Sequence, residues 1–82
     1  MPYIGEYRRE YLQQGGTPTS CGELNFVITT IINEYSYGRT LNYDRINEAI
    51  GVLECAKLEL YRRIAAPYED KKMKENGDVY TT

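Results

Sequence analysis

Two arginine pairs, Arg8-Arg9 and Arg62-Arg63, stand in an otherwise acidic chain. A guanidinium presents a planar fork of donors that matches a phosphate two bonds at a time. Tyr7, Tyr11, Tyr61 and Tyr68 lie near these pairs in sequence. A tyrosine ring stacks on a base while its hydroxyl remains free to hydrogen-bond. Together these residue types can hold a small phosphorylated ligand that carries flat rings. They are poorly equipped to transform it. The chain has no histidine, the commonest general base and metal ligand. Cys21 precedes a predicted helix, where amide dipoles lower a thiol pKa, but no histidine is available to activate it.

The remaining candidates for chemistry are weaker. Two cysteines cannot complete a four-cysteine zinc site. A Cys21–Cys55 disulfide stays open from sequence, although the absence of a secretory leader pattern favours two reduced thiols. Helical pyrophosphohydrolases that depend on metal use several inward-facing carboxylates on paired helices. Here Glu23, Glu34, Glu48, Glu54 and Asp70 fall on polar faces with no repeated ExxE pattern, which reads as solvated helix surface. No catalytic residue, no metal and no cofactor is therefore expected.

Composition narrows the class further. The net charge is −2 and the pI is near 5.1, which argues against binding bulk nucleic acid. No stretch approaches the roughly 18 apolar residues of a membrane span. A cytoplasmic protein is expected, in the host cytoplasm if the chain is viral. At 82 residues a single core supplies only about 3–5 kcal/mol, so small chains often need a staple or a partner. Nine of the ten aromatic residues are tyrosine, an unusual bias.

The elements that must position these residues divide at the glycines. Residues 1–14 contain Tyr3, Tyr7 and Tyr11 at four-residue spacing, and a helix from about Gly5 to Gln14 places them on one side. That helix is too short to be stable alone and must dock. Gly15–Ser20 is a loop. Ser20 with Glu23 makes a capping box, and Leu24, Val27, Ile28, Ile31 and Tyr35 then trace one helical face over 22–36. Gly38 ends that helix, Arg39–Leu41 connects, and Asn42 caps the next. Ile46, Ala49, Ile50, Leu53, Leu60 and Ile64 form a stripe over 43–66, a helix of about 36 Å against about 22 Å for its predecessor. Pro67 either kinks this helix or begins a fourth one over 67–76, and the second fits better because Glu69 and Asp70 precede Lys71, Lys72 and Lys74.

Helix 43–66 carries a second set of apolar or small residues: Gly51, Val52, Cys55, Leu58, Tyr61 and Ala65. A helix apolar on two sides inside so short a chain is shared between chains. Homo-oligomerisation is therefore expected, unless the N-terminal helix covers that side. Cys55 reads as a small core residue, and the tyrosines as core filler or stacking surface.

The runs GELNFVITTII and LNYDRINEAIGVLECAKLELYRRIAAPYEDKKMKENGDVY resemble a family of short uncharacterised proteins from phages and prokaryotes. That family shares IGVLECAKLELYRR followed by APYE and ENGDVY, and it implies no established activity. The layout is also similar, more remotely, to phage anti-CBASS sponge proteins, which sequester cyclic nucleotide immune signals. Those carry a Tyr-Arg pair near the N-terminus, matched by Tyr7-Arg8, and a long helix ending Arg-x-x-Ala-x-Pro. Here Arg62-Arg63-Ile64-Ala65-Ala66-Pro67 approaches that pattern, with one residue fewer before the proline. The resemblance implies a homo-oligomer that binds its nucleotide between protomers.

The resulting expectation is an all-α single domain over 1–82: an antiparallel helical hairpin with a short N-terminal helix and a short C-terminal helix after Pro67. It is expected to be a non-catalytic, phage-type binder of a small nucleotide signal, of the cyclic dinucleotide or cyclic ADP-ribose type. Arg8, Arg62 and Arg63 would hold phosphates, and Tyr7, Tyr11 and Tyr68 would stack. The alternative is a protein-interaction module that binds a host or viral protein through an apolar helix face. A metal-dependent nucleotide hydrolase ranks third.

Overall fold

The boundaries of the helices follow from their caps. In the computed structural model, which describes residues 3–38 and 40–81, α1 runs Glu6–Gln13 and α2 runs Cys21–Ser36. Next comes α3, Tyr43–Leu60, followed by a π turn over Tyr61–Ala65 and then α4, Ala66–Asn76. No strand occurs among the described residues, so the chain is all-helical. Residues 1 and 2 of the expected N-terminal segment, Arg39 of the connection and Thr82 lie outside the described set. Contacts divide the chain into two units, Met1–Asn42 and Tyr43–Thr82.

In the first unit, α1 closes on the double glycine. The Gly16 N–H donates to the Tyr11 carbonyl at 3.0 Å and the Gly15 N–H to the Leu12 carbonyl at 3.1 Å. This bond pair reverses the chain at a helix end, and it needs a left-handed residue, which Gly15 supplies at φ +96°. The reversal lays Gly16 directly against the Tyr11 ring, where a Cβ would collide with the aromatic carbons. Ser20 caps α2, its Oγ accepting from the Glu23 N–H at 3.1 Å. α1 packs on α2, and Leu12 is the buried apolar residue between them. The Arg9 guanidinium sits 5.9 Å from the Phe26 ring centre while its Nε donates to the Ile4 carbonyl.

In the second unit, the run from α3 to α4 passes Pro67 without a stop. Leu60, Ala65 and Ala66 all keep right-handed helical angles, so the chain neither ends its helix nor restarts from a non-helical cap. The Ala66 N–H instead donates to the Tyr61 carbonyl, five residues back. A proline lacks an N–H, and its ring crowds the carbonyl four residues before it, here that of Arg63. Widening the turn by one residue moves that carbonyl aside and leaves Pro67 in the first turn of α4, where its missing donor is harmless.

None of α3, the π turn or α4 has a buried residue. Cys55, expected in a core, is an exposed free thiol, as is Cys21. All nine tyrosines are exposed, so within this chain none is core filler. Two features explain both departures. The first unit's short core is closed by Leu12, and α3 presents its apolar side chains outward.

Candidate ligand-binding site

Arg8 is one of the residues best placed by sequence to hold a phosphate, and its fork is already filled. Its Nε donates to Glu23 Oε2 at 2.7 Å and its Nη2 to Glu23 Oε1 at 2.8 Å. Glu23 Oε1 also accepts from the Thr19 N–H at 2.9 Å and the Thr19 hydroxyl at 3.1 Å. In the usual capping box the glutamate would reach back to the N-cap N–H. Here it reaches one residue further and joins α1 to α2. The bonds from Arg8, then those from Thr19, hold the buried Glu23 carboxyl down at about 2. The same pairing raises the Arg8 pKa. The face of the Arg8 guanidinium lies 4.6 Å from the Tyr11 ring centre, a cation–π stack. Edge and face are thus both occupied. Tyr7, one residue before, is 80% exposed.

Arg62 and Arg63 are arranged differently. Both sit in the π turn and both point at one exposed carboxylate. Arg62 Nη2 lies 2.9 Å from Glu59 Oε2, and Arg63 Nη1 lies 3.4 Å from Glu59 Oε1. Exposed pairs at this spacing contribute only about 0.3–0.5 kcal/mol each. A phosphate can displace Glu59 at little cost, whereas displacing Glu23 from Arg8 would strand a buried carboxylate. Tyr68 stands on α4, five residues past Arg63, with the Lys72 ammonium 5.5 Å from its ring centre.

The structure therefore joins Tyr11 to Arg8 on α1, and Arg62 to Arg63 in the π turn. These two groups belong to different units. Sequence reasoning did not anticipate Glu23 and Glu59 as the partners of the arginines. The three- and four-residue spacing from Glu59 to Arg62 and Arg63 was a usable signal. The pairing of Arg8 with Glu23 crosses a loop and left none.

A cleft of about 450 Å³ opens between the π turn, α4 and the tail, with Tyr61, Tyr68, Met73 and Tyr80 in its wall. The Tyr61 hydroxyl donates to the Glu69 carboxylate, which raises the phenol pKa. Glu69, Asp70 and Asp78 also line this cleft, against Lys72 alone as a cation. That excess of negative charge disfavours a phosphate inside the cleft. Among the described residues no group of three or more His, Cys, Asp or Glu is arranged to hold a metal ion. Nor is any described helix long and apolar enough to cross a membrane.

The chain belongs to the family described as Domain of unknown function (DUF6899), whose model matches residues 1–79. No curated protein and no solved structure gives a significant match.

Proposed function

We propose that this protein is a non-catalytic, phage-type binder that sequesters a small nucleotide signal, of the cyclic dinucleotide or cyclic ADP-ribose type. It acts as a homo-oligomer of helical hairpins in the cytoplasm of the host. The observation that carries this reading is the convergence of Arg62 and Arg63 on the single exposed carboxylate of Glu59. Two forks already aimed at one anion, in a loosely held ion pair, are preorganised for a phosphate. Tyr68, in the same unit, offers an exposed ring for a base. Arg8 and Tyr11 shape the first unit and contribute through it. Calorimetric titration with cyclic dinucleotides and cyclic ADP-ribose isomers tests the assignment. The Arg62→Ala/Arg63→Ala double variant should bind at least tenfold more weakly, and equal binding would sink the role of this pair.

A second reading is favoured by a different observation. Ile46, Ile50, Val52, Leu53, Leu60, Tyr61 and Ile64 are all exposed along α3 and the π turn. An apolar surface of that extent also suits an interaction module for a host or viral protein. Failure of every nucleotide to bind, together with a stoichiometric complex with one defined protein, would favour this second reading.

A further inference from the structure

Ile46, Ala49, Leu53, Ala56 and Leu60 follow one another along α3 at spacings of three, four, three and four residues. That is the spacing of a coiled-coil seam. Large and small residues alternate in it: Ile46, Leu53 and Leu60 at one set of positions, Ala49 and Ala56 at the other. Most of the seam is uncovered, with Leu53 41% and Leu60 62% exposed and Ala49 half-buried. Ile50 and Val52 flank it and widen the apolar arc. At about 100° per residue, Val52 falls on the seam side of α3, about 120° away from Leu58. The residues Gly51, Cys55 and Leu58 lie on the outer side. Nothing lies within 4 Å of where a Gly51 Cβ would stand.

We propose that two copies of this chain pair antiparallel through α3, with Leu53 of one copy packed on the partner's Ala56 and Leu60 on the partner's Ala49. In an antiparallel pair the large positions of one helix face the small positions of the other, so each leucine enters the gap an alanine leaves. A parallel pair would instead stack leucine on leucine and alanine on alanine, alternating crowded layers with voids. The stripe of α2 is a poorer complement, because Leu24, Val27, Ile28 and Ile31 include no small residue to receive a leucine. Between Ile46 and Leu60 charge agrees: this register sets Lys57 beside the partner's Ile50 and Glu59 beside the partner's Val52, and no like charges meet there, while Ile46 at the end of the seam faces the partner's Arg63. Area agrees as well. Leaving out Leu58 on the outer side, seven large apolar side chains from Ile46 to Ile64 are roughly half exposed. At about 100 Å² each they offer about 700 Å², close to the about 800 Å² per partner of a standard interface.

This rests on the homo-oligomer part of the proposed function and locates its interface, away from the outer side marked by Gly51 and Cys55. The test is the mass of the full chain in solution, by light scattering across micromolar concentrations, with helicity followed by circular dichroism. Wild type should be a dimer or a multiple of one. Leu53→Asp should weaken association at least tenfold. Ala56→Leu should do so too by overpacking the facing leucine, and Leu53→Ala/Ala56→Leu should restore it by conserving volume across the pair. An oligomer indifferent to both single variants would overturn this seam while leaving self-association standing. An Ala56→Leu chain that associates more tightly would mean parallel pairing and contradict the register. A monomeric wild type would remove the oligomer itself, a different failure.

Discussion

Arg8 and Glu23 meet through two parallel hydrogen bonds of 2.7 and 2.8 Å, fifteen residues apart in sequence. The pair clasps α1 to the first turn of α2 and removes Arg8 from the set of arginines free to bind a ligand. Thr19 completes the carboxylate's shell from the intervening loop.

Acid should loosen this clasp. The Glu23 carboxyl is lowered from its ordinary 4.5 to about 2. A depressed acid stabilises the fold fully above its unfolded pKa and loses that contribution as pH falls through the folded one. Thermal melts followed by circular dichroism should therefore fall between about pH 4.5 and pH 2. Glu23→Gln should lower stability at neutral pH and flatten that slope, and an unchanged slope in this variant would refute the role of Glu23.

The cap is separable from the clasp. Ser20→Ala removes the acceptor of the Glu23 N–H and should cost about 1 kcal/mol. For a chain this short that corresponds to a Tm lower by roughly 4–8 °C. No shift in the melt would mean that Ser20 is not capping α2.

Gly16 and Tyr11 should be coupled. Gly16→Ala drives a methyl into the Tyr11 ring and should destabilise by about 1–3 kcal/mol, the range for overpacking. In a Tyr11→Ala background the same change should be close to neutral. A double-mutant cycle read by denaturant unfolding measures the difference, and additive effects would show that the contact is unimportant.

Those three relationships differ in how far the sequence alone revealed them. Ser20, Glu23, Gly15-Gly16 and Gly38 announce helix ends because each acts on its own few neighbours. The tyrosine at every fourth residue announced a shared side of α1, although Tyr3 falls before its start. Glu23 was legible as a capping-box residue, but its bond to Arg8 depends on how a loop brings two helices together. The π turn was hidden for a related reason. Pro67 signals a disturbance, and whether the helix stops, kinks or widens depends on where the carbonyl of Arg63 can move. The exposure of the tyrosines was illegible too, since aromatic composition does not distinguish a core from an uncovered face.

Stability and binding should separate at the second arginine pair. Arg62→Ala and Arg63→Ala each remove an exposed pair with Glu59 and should change unfolding free energy by no more than about 0.5 kcal/mol. Arg8→Ala should lower the melting temperature clearly, because it leaves the Glu23 carboxylate without its main partner. Equal thermal effects at all three arginines would contradict this division between a clasped guanidinium and an exposed, loosely paired one.

The central claim is binding without turnover, and one release assay tests it most directly. Purified protein is incubated with cyclic dinucleotides and cyclic ADP-ribose isomers, separated from free ligand, then heated, and the released small molecule is identified by mass. The account predicts recovery of one ligand intact, in a fixed ratio to protein. Recovery of a converted product, or of no ligand from any member of the panel, would contradict it.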